Sequence, residues 1–199
     1  MQRLVDTYDN MRQHNQTFKI REATKFSFGT IEQCRTLLHD ALKLVDTTAE
    51  IVWLPEYDQV ADWMSNNRGK GLLLSGDCGR GKSNIVMFAL PLLFLHHFRK
   101  VTEPVHIQQL PDKLKQSTFM RRWSYAVDEV GAEPETSDYG VKYYPFMNLI
   151  NEAEINLKVC LFSTNLSSMQ MLEKYDNRTL DRLIRLCRVV KFEGESLRK

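Results

Sequence analysis

The sequence predicts an α/β fold, a three-layer arrangement in which a parallel sheet carries helices on both faces. Three observations predict it. Apolar runs of strand length alternate with segments of helical periodicity from Leu72 to Phe192. A glycine-rich loop, Ser75-Gly76-Asp77-Cys78-Gly79-Arg80-Gly81-Lys82-Ser83-Asn84, stands directly behind the run Leu72-Leu73-Leu74. Polar residues close two further apolar runs: Asp128-Glu129 after Val127, and Asn165 after Thr164.

The elements follow in order. Met1 to about Phe28 is polar and weakly patterned. Thr30-Ile31-Glu32-Gln33 has the form of a capping box. Behind it Ile31, Cys34, Leu37, Leu38, Ala41, Leu42 and Val45 share one helical face. A second short helix is expected from Tyr57 to Met64, with Val60, Ala61 and Met64 inward, and a polar turn from Asn66 to Lys70. Leu72 to Ser75 is a strand, and a helix runs from Lys82 toward Phe98. A short strand from Val105 to Gln109 and a helix after Pro111 come next. Ser124 to Val127 is a strand, Gly131 to Gly140 a loop, and Tyr144 to Glu154 a helix. Val159 to Thr164 is a strand. Helices from Ser167 to Lys174 and Thr179 to Arg188 precede a last strand, Val189 to Phe192. The expected division is an N-terminal helical segment at 1–50, suited to docking a partner, and a core at 51–199.

Composition sets the frame. The chain has 199 residues, 43% hydrophobic and 26% charged, enough for one full-sized domain and a small appendage. A net charge of +2 permits contact with nucleic acid without arguing for it. Cys34, Cys78, Cys160 and Cys187 are scattered and form neither a zinc-type cluster nor a disulfide framework. Free thiols fit a reducing compartment, so a cytoplasmic location is expected. The polar, mixed-charge N-terminus has no signal-peptide pattern. The most apolar stretch, Ile85 to Phe98, contains Pro91 and is too short to span a bilayer.

The chemistry concentrates at the glycine loop. Gly76 to Ser83 satisfies G-x-x-x-x-G-K-[ST], with a strand before it and a helix after it. Glycines let backbone N–H groups converge on a phosphate, and the following helix adds its positive end. Gly76, Asp77, Cys78, Gly79, Arg80, Gly81, Lys82, Ser83 and Asn84 are therefore the candidate nucleotide-binding residues, with Lys82 and Arg80 facing phosphate. Lys82 supplies a point charge and Ser83 a hydroxyl for Mg²⁺. A merely structural glycine turn leaves Lys82-Ser83 without a purpose. Asp128 is the second candidate metal residue, and Glu129 the candidate general base toward water. Taken alone, an acidic pair after a strand is a solvated loop; its position behind an apolar run in such a chain argues for the functional role. Asn165 is either a strand-terminal turn residue or a group that orients the attacking water. Arg178, Arg182 and Arg185 lie on one helical face, which is either a solvated basic face or the source of an arginine finger.

In this order, "GDCGRGKS", "VDEVG", "STNLS" and "NRTLDRL" resemble the AAA+ ATPases of the DnaC-type helicase loaders and IstB-type transposition helpers. "ADWMSNNRGKGLLLSG" resembles the family's run into its first strand, and the likeness extends from about Val52 to Phe192. It implies a P-loop NTPase of AAA+, RecA-like form without a C-terminal lid domain. It implies Asn165 as the sensor residue, Arg182 as the arginine finger and Arg178 as a second arginine acting in trans. It also implies ATP and Mg²⁺ as ligands and hydrolysis at subunit interfaces of a homo-oligomer. The expected partners are DNA, single-stranded in preference, and a replicative helicase or a transposase; no membrane is expected. The acidic stretch Glu152 to Asn156 departs from the family, which often carries a basic residue there.

The leading expectation is an ATPase acting in DNA replication as a helicase-loader-like protein, and an origin in a mobile element fits the reduced size. An IstB-like transposition helper is the close alternative. A small P-loop nucleoside or nucleotide kinase is the alternative of another class, disfavoured because no arginine-rich lid or acceptor base is visible. A GTPase lacks its N-K-x-D motif. A nucleotide-gated adaptor with little turnover would fit the imperfect strand Ser124-Tyr125-Ala126-Val127, but Glu129, Asn165 and Arg182 argue against it.

Overall fold

A computed structural model describes residues 1–13, 22–45, 51–134, 136–138 and 141–197. The strands are β1 (Gly71–Gly76), β2 (Pro104–His106), β3 (Ser124–Asp128), β4 (Thr136–Asp138), β5 (Val141–Tyr143), β6 (Val159–Thr164) and β7 (Cys187–Phe192). Among the described residues, five of them form a parallel sheet in the order β2-β3-β6-β1-β7. The expected parallel sheet is therefore present, with β1 flanked by β6 and β7. Leu72 and Leu73 pair with Leu161 and Phe162, and Tyr125 and Val127 with Cys160 and Phe162.

The helices are α1 (Gln2–Gln13), α2 (Ile31–Val45), α3 (Pro55–Ser65), α4 (Lys82–Asn84), α5 (Leu90–Phe98), α6 (Leu110–Leu114), α7 (Ser117–Met120), α8 (Pro145–Asn156), α9 (Ser168–Lys174) and α10 (Asn177–Leu186). Of these, α2, α3 and α5 to α10 divide between the two faces of the sheet because side chains alternate along each strand. Leu72, Leu74, Ala126, Leu161 and Val190 point to a cluster containing α2, α3 and α5. Leu73, Tyr125, Val127, Cys160 and Phe162 point to the opposite cluster, built from α6 to α10. Trp63 and Phe94 are fully buried in the first cluster, and Phe26 meets both rings edge-on at 5.3 and 5.1 Å.

Local sequence explains the helix ends. The Thr30 amide donates to Gln33 Oε1 at 2.8 Å, and the Gln33 amide to Thr30 Oγ1 at 3.3 Å, the reciprocal cap expected for α2. Ser167 and Gln170 repeat it at α9. Between α4 and α5 the chain makes a π-helical turn, Ile85–Ala89, in which the Leu90 amide reaches back to the Ile85 carbonyl. Pro91 has no N–H to give to the turn before it, and the widened turn absorbs that mismatch.

The polar start of the chain is helical, as α1, and its Leu4 and Val5 are exposed. One expectation changes: the segment expected as a loop from Gly131 to Gly140 contains β4, which pairs antiparallel with β5 directly after it. The expected division near residue 50 falls outside the described residues; Phe28, Cys34, Leu38, Ala41 and Leu42 share one apolar cluster with Leu72 and Leu74. No described helix is long and apolar enough to cross a membrane.

Candidate functional site

Parallel strands deliver their C-terminal ends to one edge of the sheet, where ligands bind in open α/β folds. The glycine loop leaves β1, Asp128 ends β3, and Asn165 follows β6, which lies between them. Three segments distant in sequence thus meet at adjacent strand ends.

The loop has the backbone that its glycines permit. Gly76 sits at φ 124°, and a Cβ there would come within 2.1 Å of the Phe192 carbonyl oxygen. Gly81 sits at φ 86° immediately before Lys82, and a Cβ there would meet the Tyr57 hydroxyl at 2.5 Å. Lys82 is buried, and its Nζ donates to the carbonyls of Gly76 at 2.8 Å and Asp77 at 2.6 Å. The ammonium is thereby held over the concave side of the loop by neutral acceptors, which a phosphate oxygen can outcompete. Ser83 lies one residue on, in the first turn of α4. Asp77 and Cys78 are exposed at the tip.

Arg80 does not face phosphate as expected. It is buried, and its Nη2 lies 2.6 Å from Glu56 Oε1 of α3. Tyr57, beside it, donates its hydroxyl to the Arg80 carbonyl at 3.2 Å. Burial, reinforced by Glu56, raises the Tyr57 phenol above its ordinary range, so it stays a neutral donor. The segment Trp53 to Tyr57 therefore buttresses the loop; the Trp53 indole N–H is occupied by Asp58 at 3.0 Å.

Asp128 and Glu129 are organised by a serine that the motif reading did not single out. Ser163 of β6, buried, donates its hydroxyl to Asp128 Oδ1 and accepts the Glu129 amide at 3.0 Å. One side chain thus fixes both the carboxylate of Asp128 and the backbone of Glu129. Glu129 lies in the left-handed region at φ 58°, unusual for a residue with a side chain. That turn carries its carboxylate to His106 at the end of β2, where Nε2 and Oε2 are 2.9 Å apart. The loop beyond is stapled down. The Val130 amide donates to the Ser163 carbonyl at 2.8 Å, and Thr164 Oγ1 to the Val130 carbonyl at 2.6 Å. Buried Glu133 accepts the Gly131 amide at 2.9 Å and the Tyr175 hydroxyl. Burial and the Glu133 carboxylate push the Tyr175 phenol far up, so it donates throughout the accessible pH range.

Ser83 at the start of α4 and Asp128 at the end of β3 offer a hydroxyl and a carboxylate, a donor pair of the kind suited to a hard cation such as Mg²⁺ with water completing its shell. Asn165 is exposed. The arginines are elsewhere in the network. Arg182 Nε lies 2.6 Å from Glu154 Oε2 of α8, and its Nη1 donates to Asn151 Oδ1. Arg185 joins the same Glu154 at 2.7 Å, and Arg178 is exposed. The acidic departure at Glu152 to Asn156 thus has a physical counterpart, since Glu154 neutralises two arginines of α10.

The fold is shared with solved structures. The DnaC helicase loader superposes with a TM-score of 0.53 at 15% identity, covering 76% of this chain and 98% of that one. The chain shares its fold with the DnaC helicase loader. A provisionally assigned primosome component from Streptococcus pyogenes serotype M3 superposes at 0.51 with 18% identity, covering 83% of this chain and 82% of that one. DnaA from Aquifex aeolicus, solved bound to AMPPCP, gives 0.51 at 17% identity over 73% of this chain and 49% of that one. No protein-family model matches the sequence. No curated protein matches it either.

Within this DnaC-like fold, the residues that motif reading missed are His106, Ser163 and Glu56. The sequence carried one signal for the first two. Each is a polar residue at or near the end of an apolar strand that neighbours β3. Glu56 carried none, because its partner lies 24 residues away and meets it only through the packing of α3.

Proposed function

We propose that this chain is a Mg²⁺-dependent ATPase of the helicase-loader type, acting on DNA as an ATP-assembled homo-oligomer. The observation that carries the reading is the convergence of the Gly76–Ser83 loop, Asp128-Glu129 and Asn165 at the ends of β1, β3 and β6. A phosphate loop alone serves many reactions; a carboxylate pair and an amide aligned beside it serve attack by water.

In this reading the loop amides and Lys82 hold the β- and γ-phosphates, with Lys82 exchanging the Gly76 and Asp77 carbonyls for phosphate oxygens. Ser83 and Asp128 hold Mg²⁺, which supplies charge neutralisation at the transferred phosphoryl group. Glu129 takes the proton of the attacking water, and Asn165 orients that water. His106 keeps the Glu129 carboxylate placed before substrate arrives. Arg182 is the finger offered to a neighbouring subunit, leaving Glu154 and Asn151 as the interface forms, and exposed Arg178 is the second arginine. DNA, single-stranded in preference, and a replicative helicase are the partners this reading assigns.

Subunit mixing tests the trans arginines. Arg182→Ala or Arg178→Ala protein, doped into wild type, lowers ATP turnover more steeply than its mole fraction. Solution mass measured alongside rises on ATP addition. Linear dilution with unchanged mass contradicts interface catalysis.

A further inference from the structure

Residues 193–197, which follow β7, stay against the body of the molecule. They run along the outer side of the glycine loop and bind it at successive points. The Asp77 amide donates to the Phe192 carbonyl at 2.8 Å, and the Gly194 amide to Asp77 Oδ2 at 2.9 Å. The Leu197 amide donates to the Gly79 carbonyl at 3.0 Å. Arg80 Nη1 donates to the Glu195 carbonyl at 3.0 Å. Asp77, Gly79 and Arg80, the variable positions of the loop, are thus each held from outside by residues 192–197.

Glu56 ties the two segments together. Its Oε1 accepts Arg80 Nε at 3.2 Å, Arg80 Nη2 at 2.6 Å and the Glu193 amide at 3.1 Å. Glu56 and Arg80 are only 6% and 8% exposed, so this ion pair is essentially desolvated. Burying two charges is costly, and a buried pair stabilises a fold little compared with apolar residues of the same size. Glu56 Oε2 is also buried without a hydrogen-bond partner among the described residues, which adds to that cost. Such a pair gives fixed geometry rather than stability, and the geometry it fixes is that of the loop against the tail.

We propose that Glu56 and residues 193–197 form a brace that pre-orders the phosphate loop, with Glu56 as a positioning residue and Arg80 as the loop's anchor. The proposal rests on the reading of Gly76–Ser83 as a phosphate loop. A glycine-rich loop loses much conformational freedom when it closes on phosphate; holding its outer edge beforehand lowers that cost and tightens binding. Linkage then requires the reciprocal effect: nucleotide in the loop tightens the tail.

The test uses the full chain and a fluorescent ATP analogue with Mg²⁺. Glu56→Gln weakens binding roughly tenfold, as expected for loss of a charge-assisted contact that shapes the site. Leu197→Pro deletes a single tail donor and weakens binding about threefold. In wild type, saturating nucleotide slows amide exchange at Gly194 and Leu197. Thermal melts separate this from a purely structural role, which lowers the melting temperature while leaving affinity in place. Unchanged affinity in both folded variants overturns the brace, as does tail exchange indifferent to nucleotide. Should Glu56→Gln not fold, the exchange experiment on wild type decides alone. Lys82→Ala losing affinity in the same assay while both brace variants retain it refutes the brace and leaves the phosphate loop intact. Wild type that binds no analogue removes both.

Discussion

Lys82→Ala abolishes tight ATP binding. In the free protein the ammonium spends its donors on two backbone carbonyls, Gly76 at 2.8 Å and Asp77 at 2.6 Å. It is buried beside a loop whose backbone curls at Gly76 and Gly81. No other lysine or arginine shares this role among the described residues of the loop, since Arg80 is committed to Glu56. A hydrogen bond to a charged group contributes about 1.5–3 kcal/mol, so losing contacts to two phosphates weakens binding by roughly two to four orders of magnitude. Isothermal titration with Mg·ATP checks it. Affinity within twofold of wild type would remove Gly76–Ser83 from the site.

Glu129→Gln separates binding from chemistry. The amide has the shape of the carboxylate and can still meet His106, but it cannot take a proton from water. Turnover falls by roughly two to four orders of magnitude, the range for a general base, while ATP affinity stays near wild type. Single-turnover hydrolysis with direct measurement of bound ATP checks both halves. The left-handed backbone at Glu129, pinned by Ser163, is unchanged by the substitution, so a drop reflects chemistry and not misplacement. Full turnover in the variant would remove Glu129 as the base and leave Asp128 and the phosphate loop untouched.

Much of the fold was legible because its signals are local. Leu72-Leu73-Leu74 and Val159 to Thr164 are apolar enough to be strands buried on both faces. Thr30 and Gln33 announce the start of α2 within four residues. The positions of the glycine loop, Asp128-Glu129 and Asn165 at strand ends could be read because each follows such a strand. What stayed hidden depends on pairs far apart in sequence. Arg80 looks like a phosphate ligand until α3 brings Glu56 beside it. Ser163 looks like an ordinary strand residue until β6 pairs with β3 and sets it against Asp128. Arg182 follows the spacing of a surface face, yet α8 supplies Glu154 and Asn151 to hold it. The short pair β4–β5 lacks the apolar periodicity on which such prediction depends.

The most direct measurement is steady-state ATP hydrolysis by the purified protein, alone and with single-stranded or duplex DNA. The account predicts Mg²⁺-dependent turnover that single-stranded DNA stimulates more than duplex. Turnover indifferent to either form of DNA, from a protein that stays monomeric with ATP, would contradict it.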